Sequence, residues 1–162
     1  MNLRSVKPPH ETRTRIIEAA EELFMQHGFE STSMRLLTTK AGANLAAVNY
    51  HFGSKDALIE AVFRRRLDPM NAGRIAELDR LEKDAAGRAL SKEGASGALS
   101  PEAIIRAFVG ASLRMIEDAK SGGRNFIRLL GRTYTDPQKH IRTLIGQLYA
   151  PAMERLDRKS VV

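Results

Sequence analysis

In every long patterned segment between Thr12 and Leu156 apolar residues return every three or four positions, and no stretch alternates apolar with polar over the length of a strand. Residues at that spacing share one face of a helix, so this chain buries a core only by packing helix on helix. The fold class it dictates is all-α. Small residues and caps then divide the pattern. Residues 12–27 place Ile16, Ala20, Leu23 and Phe24 on one face, with Ile17 at its edge, and Gly28 suits the left-handed position that ends a helix. A short helix over Ser33–Lys40 follows, with Thr32 or Ser33 as its cap. Ala41-Gly42-Ala43 is a tight turn, and Asn44 caps a third helix running to about Tyr50. Gly53 breaks the chain again, and Ser54 caps a fourth helix striped by Leu58, Ile59, Val62 and Phe63.

Beyond this point the spacing predicts further helices. Asp68-Pro69 interrupts the fourth helix or starts the next, because Asp caps well and Pro is tolerated at the first helical position. Ile75, Leu78 and Leu81 mark the continuation. Residues 85–99 hold three glycines and no bulky apolar cluster, which predicts a flexible loop. Ser100-Pro101-Glu102 restarts helix with a cap, a proline and an acid in the first turn. Ile104, Ile105, Phe108, Val109, Ser112, Leu113 and Ile116 then predict a wide buried face, and Gly122-Gly123 a stop. Phe126, Leu129, Leu130 and Tyr134 belong to a shorter helix that ends before Asp136-Pro137. The last helix carries Ile141, Leu144, Ile145, Leu148 and Leu156, with a kink expected at Pro151.

Composition removes several function classes. No apolar run approaches the roughly 18 residues of a membrane span, and the N-terminus lacks the apolar core of a secretory signal. With no cysteine there is no disulfide framework, thiolate metal site or cysteine nucleophile, which is compatible with a reducing, cytoplasmic setting. The net charge of +7 points to a polyanionic partner such as nucleic acid. It does not locate the surface: residues 1–66 carry ten Lys/Arg against seven Asp/Glu, while residues 101–162 carry eleven against six. No catalytic constellation, metal-ligand cluster or cofactor motif stands out. His51 has no acidic partner at a local spacing, so packing or a phosphate contact suits it better than catalysis or metal binding. Arg64-Arg65-Arg66 reads as a complement to a helix dipole, and Gly122-Gly123 lacks the phosphate-loop pattern.

Three short helices with a small-residue turn between the second and third make a helix-turn-helix pattern, the shape that lets one helix enter the DNA major groove while its neighbour crosses the backbone. The residues that give it specificity are Arg15-Ile16-Ile17-Glu18-Ala19-Ala20-Glu21-Glu22-Leu23-Phe24, Gly28-Phe29, Ser31-Thr32-Ser33, Ala41-Gly42 and Asn49-Tyr50-His51-Phe52-Gly53-Ser54-Lys55-Asp56-Ala57-Leu58. Together they resemble the DNA-binding domain of the TetR family of regulators, over about residues 12–66. Leu45-Ala46-Ala47-Val48-Asn49-Tyr50-His51-Phe52 and Phe126-Ile127-Arg128-Leu129-Leu130-Gly131 are similar to a fatty-acid-responsive subgroup.

The resemblance implies a helix-turn-helix domain at 12–66 and a helical effector-binding and dimerisation region at 67–162. It implies a homodimeric repressor that leaves its double-stranded DNA operator when a small apolar effector, a fatty acid or acyl-CoA, binds. No enzyme activity and no cofactor are implied. Among the matching positions, Arg35 reaches a base or nearby phosphate, and Asn44, Leu45, Ala46, Ala47 and Asn49 fall on the third helix or its cap, toward the groove. Asn49 is suited to adenine and the alanine methyls to thymine. Thr32, Ser33, Tyr50, His51 and Lys55 match phosphate contacts, and Lys55 also sits at a helix N-terminus, where amide dipoles favour an anion. Phe108, Leu113, Met115, Phe126 and Leu130 are implied to line the effector pocket, although core packing alone accounts for Met115 and Phe126. The sequence departs from the family pattern at Asn49, where tyrosine is common, and at Leu45 and Ala47, where polar readers are found. Sparse base-specific hydrogen bonding and more shape readout follow. The family also continues for roughly two more helices, whereas here the likeness fades after Leu156. A truncated product is therefore expected, with the last apolar stripe uncovered and dimerisation weakened. A non-repressing fragment or a helical interaction module is the alternative reading.

Overall fold

A computed structural model describes residues 9–91, 99–117, 123–135 and 139–160. Among them are seven helices and no strand. None of the helices is long and apolar enough to cross a membrane. Two compact units divide the chain, one holding the described residues of Met1–Arg65 and Asn125–Pro137, the other those of Arg66–Arg124 and Gln138–Val162.

In the first unit, helix α1 spans Pro9–His27, α2 Met34–Ala41 and α3 Leu45–Phe52. Helix α1 buries Ile16, Ile17, Ala20, Leu23 and Phe24. It stops at Gly28, whose φ of 86° few other residues adopt and whose N–H donates to the Phe24 carbonyl at 2.9 Å. Phe29 then folds back onto Phe24, with ring centroids 5.2 Å apart. The cap of α2 is Ser33, whose hydroxyl accepts from the Leu36 N–H at 3.2 Å. At the other end Gly42 is left-handed, and the N–H groups of Gly42 and Ala43 reach back to the carbonyls of Thr39 and Thr38. That is a Schellman closure, and it turns the chain within three residues. Asn44 caps α3 by accepting from the Ala47 N–H at 2.8 Å, and the helix runs two residues past the expected Tyr50.

Helix α4 spans Lys55–Ser91 and begins at the Ser54 cap, whose hydroxyl accepts from the Ala57 N–H at 3.0 Å. Its first turns, to Arg65, belong to the first unit and the remainder to the second. The break expected at Asp68-Pro69 does not occur: Pro69 lies inside one continuous helix. Leu67 and Met70 are buried on either side of it, while Pro69 itself is exposed, so the carbonyl that loses its donor can turn to water. The loop expected from residue 85 is also corrected. Helix continues to Ser91, with Ala85 buried and Arg88 in the last turn complementing the dipole. Residues 92–98 lie outside the described residues.

Helix α5 spans Pro101–Glu117, α6 Gly123–Thr135 and α7 Lys139–Ser160. The wide buried face expected of α5 is corrected. Ala107 and Ala111 are buried, whereas Ile105, Val109 and Leu113 are 62%, 45% and 51% exposed. Two alanines let a helix approach closely, and the bulkier residues then fall on the other side. Helix α6 joins the core of the first unit: Phe126 stacks edge-on against Phe63 at 5.8 Å, extending a run of rings through Phe29 and Phe24. A Cβ on Gly123, its first residue, would overlap the Met115 carbonyl.

In the second unit the apolar stripe of α7, expected to be uncovered, is covered in part. Ile141, Ile145 and Leu148 are buried, with Ala152 beside them, while Leu144 and Leu156 are half-buried. Helix α7 lies along α4, pinned by Asn71, which donates to the Leu148 carbonyl at 2.9 Å, and by Arg155, which pairs with Asp79 at 2.7 Å and Glu82 at 2.9 Å. Pro151 sits inside this helix as well.

Candidate nucleic-acid interface

Helix α3 is too short to stand alone, and its position comes from one buried side chain and its two ends. Val48 is buried; Asn44 fixes the start and Gly53, at φ 74°, the end, through an N–H donated to the Asn49 carbonyl. The opposite face is bare. Leu45, Ala46, Asn49 and Tyr50 are exposed, Tyr50 to 82%, and Ala47 is half-buried. A helix anchored on one side with a strip of small, amide and aromatic groups on the other has the dimensions a major groove admits.

The neighbouring candidates divide into those that face outward and those that hold the frame. Arg35 is exposed on α2, and its guanidinium makes no hydrogen bond or ion pair among the described residues. Its carbonyl is engaged by the hydroxyls of Thr38 and Thr39. Lys55 opens α4 half-buried, its ammonium 3.4 Å from the Glu30 carbonyl. Ser33 and Asn44 spend their side chains on caps. Thr32 is 1% exposed and its hydroxyl donates to the Gly28 carbonyl at 2.7 Å, so its side chain has no face to offer a phosphate. His51 is half-buried between the rings of Tyr50 and Phe52, at 5.1 and 6.1 Å.

The local basic charge is partly spent within the unit. Lys40 pairs with Glu22 at 2.6 Å and, by hydrogen bonding to it, holds the Glu22 carboxyl below its ordinary range. Arg65 pairs with Glu18 at 2.7 Å, and Arg13 lies over the Phe52 ring at 5.5 Å. Arg15, 27 positions from Gly42 in the chain, donates to its carbonyl at 3.4 Å and so ties α1 to the turn before α3. Sequence reading passed over this positioning role, because no local spacing connects the two residues. The described residues contain no group of three His, Cys, Asp or Glu placed to hold a metal ion.

The five residues expected around an effector divide between the two units. Phe126 and Leu130 belong to the first unit, where Phe126 is core; Phe108, Leu113 and Met115 belong to the second, where Leu113 faces out. A recess of about 480 Å³ in the first unit is lined by Met25, Arg128, Gly131 and Arg132, and by none of those five.

Known proteins resemble this chain in both parts. Residues 16–62 match the family model described as bacterial regulatory proteins, tetR family, and residues 106–158 match one described as a tetracyclin repressor-like C-terminal domain. The transcriptional regulator UidR of Escherichia coli K12 is 43% identical over 51 residues, 32% of this chain and 26% of UidR. The transcriptional repressor AcnR of Corynebacterium glutamicum is 32% identical over 78 residues, 48% of this chain and 39% of AcnR. The chain thus spans between about a quarter and two-fifths of the length of these relatives. The crystal structure of SCO7518, a candidate transcriptional regulator from Streptomyces coelicolor A3(2), superposes with a TM-score of 0.59 at 20% identity, covering 92% of this chain and 75% of that one. At that identity the likeness is one of fold.

Proposed function

Because the chain belongs to the tetR family of bacterial regulatory proteins, through two models that together take in more than half of it, we propose that it is a sequence-specific, DNA-binding transcriptional repressor controlled by a small molecule. The observation that carries this reading is α3 itself, an eight-residue helix capped at both ends, held by Val48, with Leu45, Ala46, Asn49 and Tyr50 left bare. In this reading α3 enters the major groove, with Asn49 on an adenine edge and the Ala46 and Ala47 methyls near thymine. Arg35, Ser33, Tyr50, His51 and Lys55 hold the flanking backbone, and Thr32 and Asn44 position the elements that do so. The protein acts in the cytoplasm as a homodimer on a palindromic operator, its two recognition helices about 34–36 Å apart. Residues 12–66 read DNA, and the region beyond 67 binds the effector, a fatty acid or acyl-CoA on the subgroup resemblance. The effector favours a conformation with lower operator affinity.

The test is selection of duplexes from a random library, followed by anisotropy titration of the winner against scrambled DNA. A specific regulator prefers its site by roughly a thousandfold or more at physiological salt. Failure to enrich any sequence, or equal binding to both duplexes, would sink the proposal.

A further inference from the structure

The interior of the second unit holds a cation that has no counter-ion among the described residues. Arg74, on α4, is 3% exposed. Its Nε donates to the Phe108 carbonyl at 3.1 Å, Nη1 to Asn71 Oδ1 at 3.0 Å and Nη2 to Ser112 Oγ at 2.7 Å. The guanidinium carbon lies 3.7 Å from the centroid of the Phe108 ring and 5.4 Å from that of Tyr149. Three of its five N–H groups therefore meet neutral acceptors and its flat faces meet rings, so hydrogen bonding is well served while the charge is not balanced. Burial pushes the guanidinium pKa down, with the Tyr149 side chain opposing that shift.

The acids further along α4 pair with other arginines. Glu77, one turn further along α4, pairs with Arg80 at 2.7 Å, and Asp84 pairs with the same arginine. Asp79 and Glu82 pair with Arg155. A buried guanidinium with no anion is costly, and an apolar side chain of similar volume would fill the space more cheaply. The groups around it lie near the surface: Phe108, Ser112 and Tyr149 are each only half-buried. The charge thus lies among two half-buried aromatic rings and a half-buried hydroxyl.

We propose that Arg74 anchors an anionic effector, a small organic acid whose carboxylate pairs with the guanidinium and whose apolar body lies against the Phe108 and Tyr149 rings. This rests on the reading of the chain as a ligand-controlled regulator and narrows the effector to one head-group chemistry. A guanidinium forms a charge-assisted hydrogen bond with a carboxylate, and in a partly desolvated site that pair discriminates strongly against a neutral isostere. Asn71 and Ser112 hold the guanidinium in place.

The experiment compares two acids, octanoate and phenylacetate, with their neutral isosteres octanamide and phenylacetamide, at constant ionic strength. Calorimetric titration and melting shifts are read on the purified DNA-free chain, then on Arg74→Met. At least one acid is expected to bind about tenfold or more tightly than its amide, a difference of about 1.4 kcal/mol. In Arg74→Met the ratio falls to about one with the amide affinity retained. Equal binding of acid and amide, no binding of either acid, or an undiminished ratio in Arg74→Met overturns the proposal. Should the variant fail to fold, the wild-type ratio decides by itself. Operator affinity is measured separately: an acid that binds with the expected ratio yet leaves operator binding unchanged supports the site and overturns the ligand-controlled regulator.

Discussion

Lys55 and Asn49 meet DNA by different physics, and that difference separates phosphate binding from base reading. The Lys55 ammonium sits at the N-terminus of α4, beside the Glu30 carbonyl, where helix amides already favour an anion. Lys55→Ala should weaken binding to every duplex alike and reduce the slope of log affinity against log salt by about one unit. Asn49 is exposed on α3 and spends its carbonyl, not its amide side chain, on the Gly53 cap. Asn49→Ala should cost about 1–3 kcal/mol at the selected site and leave random DNA unaffected. Anisotropy titrations at several salt concentrations check both. If Asn49→Ala lowers specific and random binding equally, its place in the groove is wrong.

For whole helices, caps and apolar spacing placed the starts, while packing chose the buried faces and carried α4 past the expected breaks. Pro69 is exposed inside α4, and a proline in a helix interior is about 3 kcal/mol less favourable than alanine. Pro69→Ala should therefore raise the melting temperature, by an amount bounded by that figure. No change would mean that residue 69 opens a helix rather than lying within one. The orientation of α5 can be tested in the same way. Ala107 is buried, so Ala107→Leu should overpack and cost about 1–3 kcal/mol. Leu113 is half exposed, so Leu113→Gln should change stability by no more than about 0.5 kcal/mol. Chemical denaturation of the two variants distinguishes this face from the one expected from hydrophobicity. A reversed order would restore the broad buried stripe.

Across the whole molecule the consequential contact is between Phe126 and Phe63, 63 positions apart in the chain and 5.8 Å between ring centroids. A helix far along the sequence thereby completes the core of the unit that carries α3. Phe126→Ala should remove about 3–5 kcal/mol from the ligand-free protein and weaken DNA binding with it. Had Phe126 only lined an effector cavity, its loss would leave the melting of the ligand-free chain nearly unchanged, and a melting scan separates the two. The stripe of α7 offers less surface for association than its sequence suggests: Ile141, Ile145 and Leu148 are buried within their own unit, and Leu144 and Leu156 are half-buried.

The sequence by itself determined the all-α class, the three short helices and their stops, because those signals are local. A serine or asparagine caps an N–H three residues on, as Ser33, Asn44 and Ser54 do, and a left-handed glycine closes a helix on its own last turn. The outward strip of α3 was legible only through the family resemblance; the burial of Val48 that explains it belongs to the structure. Tertiary structure alone decided the continuity of α4, the face of α5, the place of Phe126 and the surroundings of Arg74. The sequence did hold a trace of the last: Asn71 and Arg74 interrupt the core-facing line of Leu67, Met70 and Leu78. Which groups receive such a charge depends on Phe108 and Ser112, 34 and 38 positions away. Periodicity reports that a face is apolar; only the shape and charge of the surface packed against it decide which residues are buried.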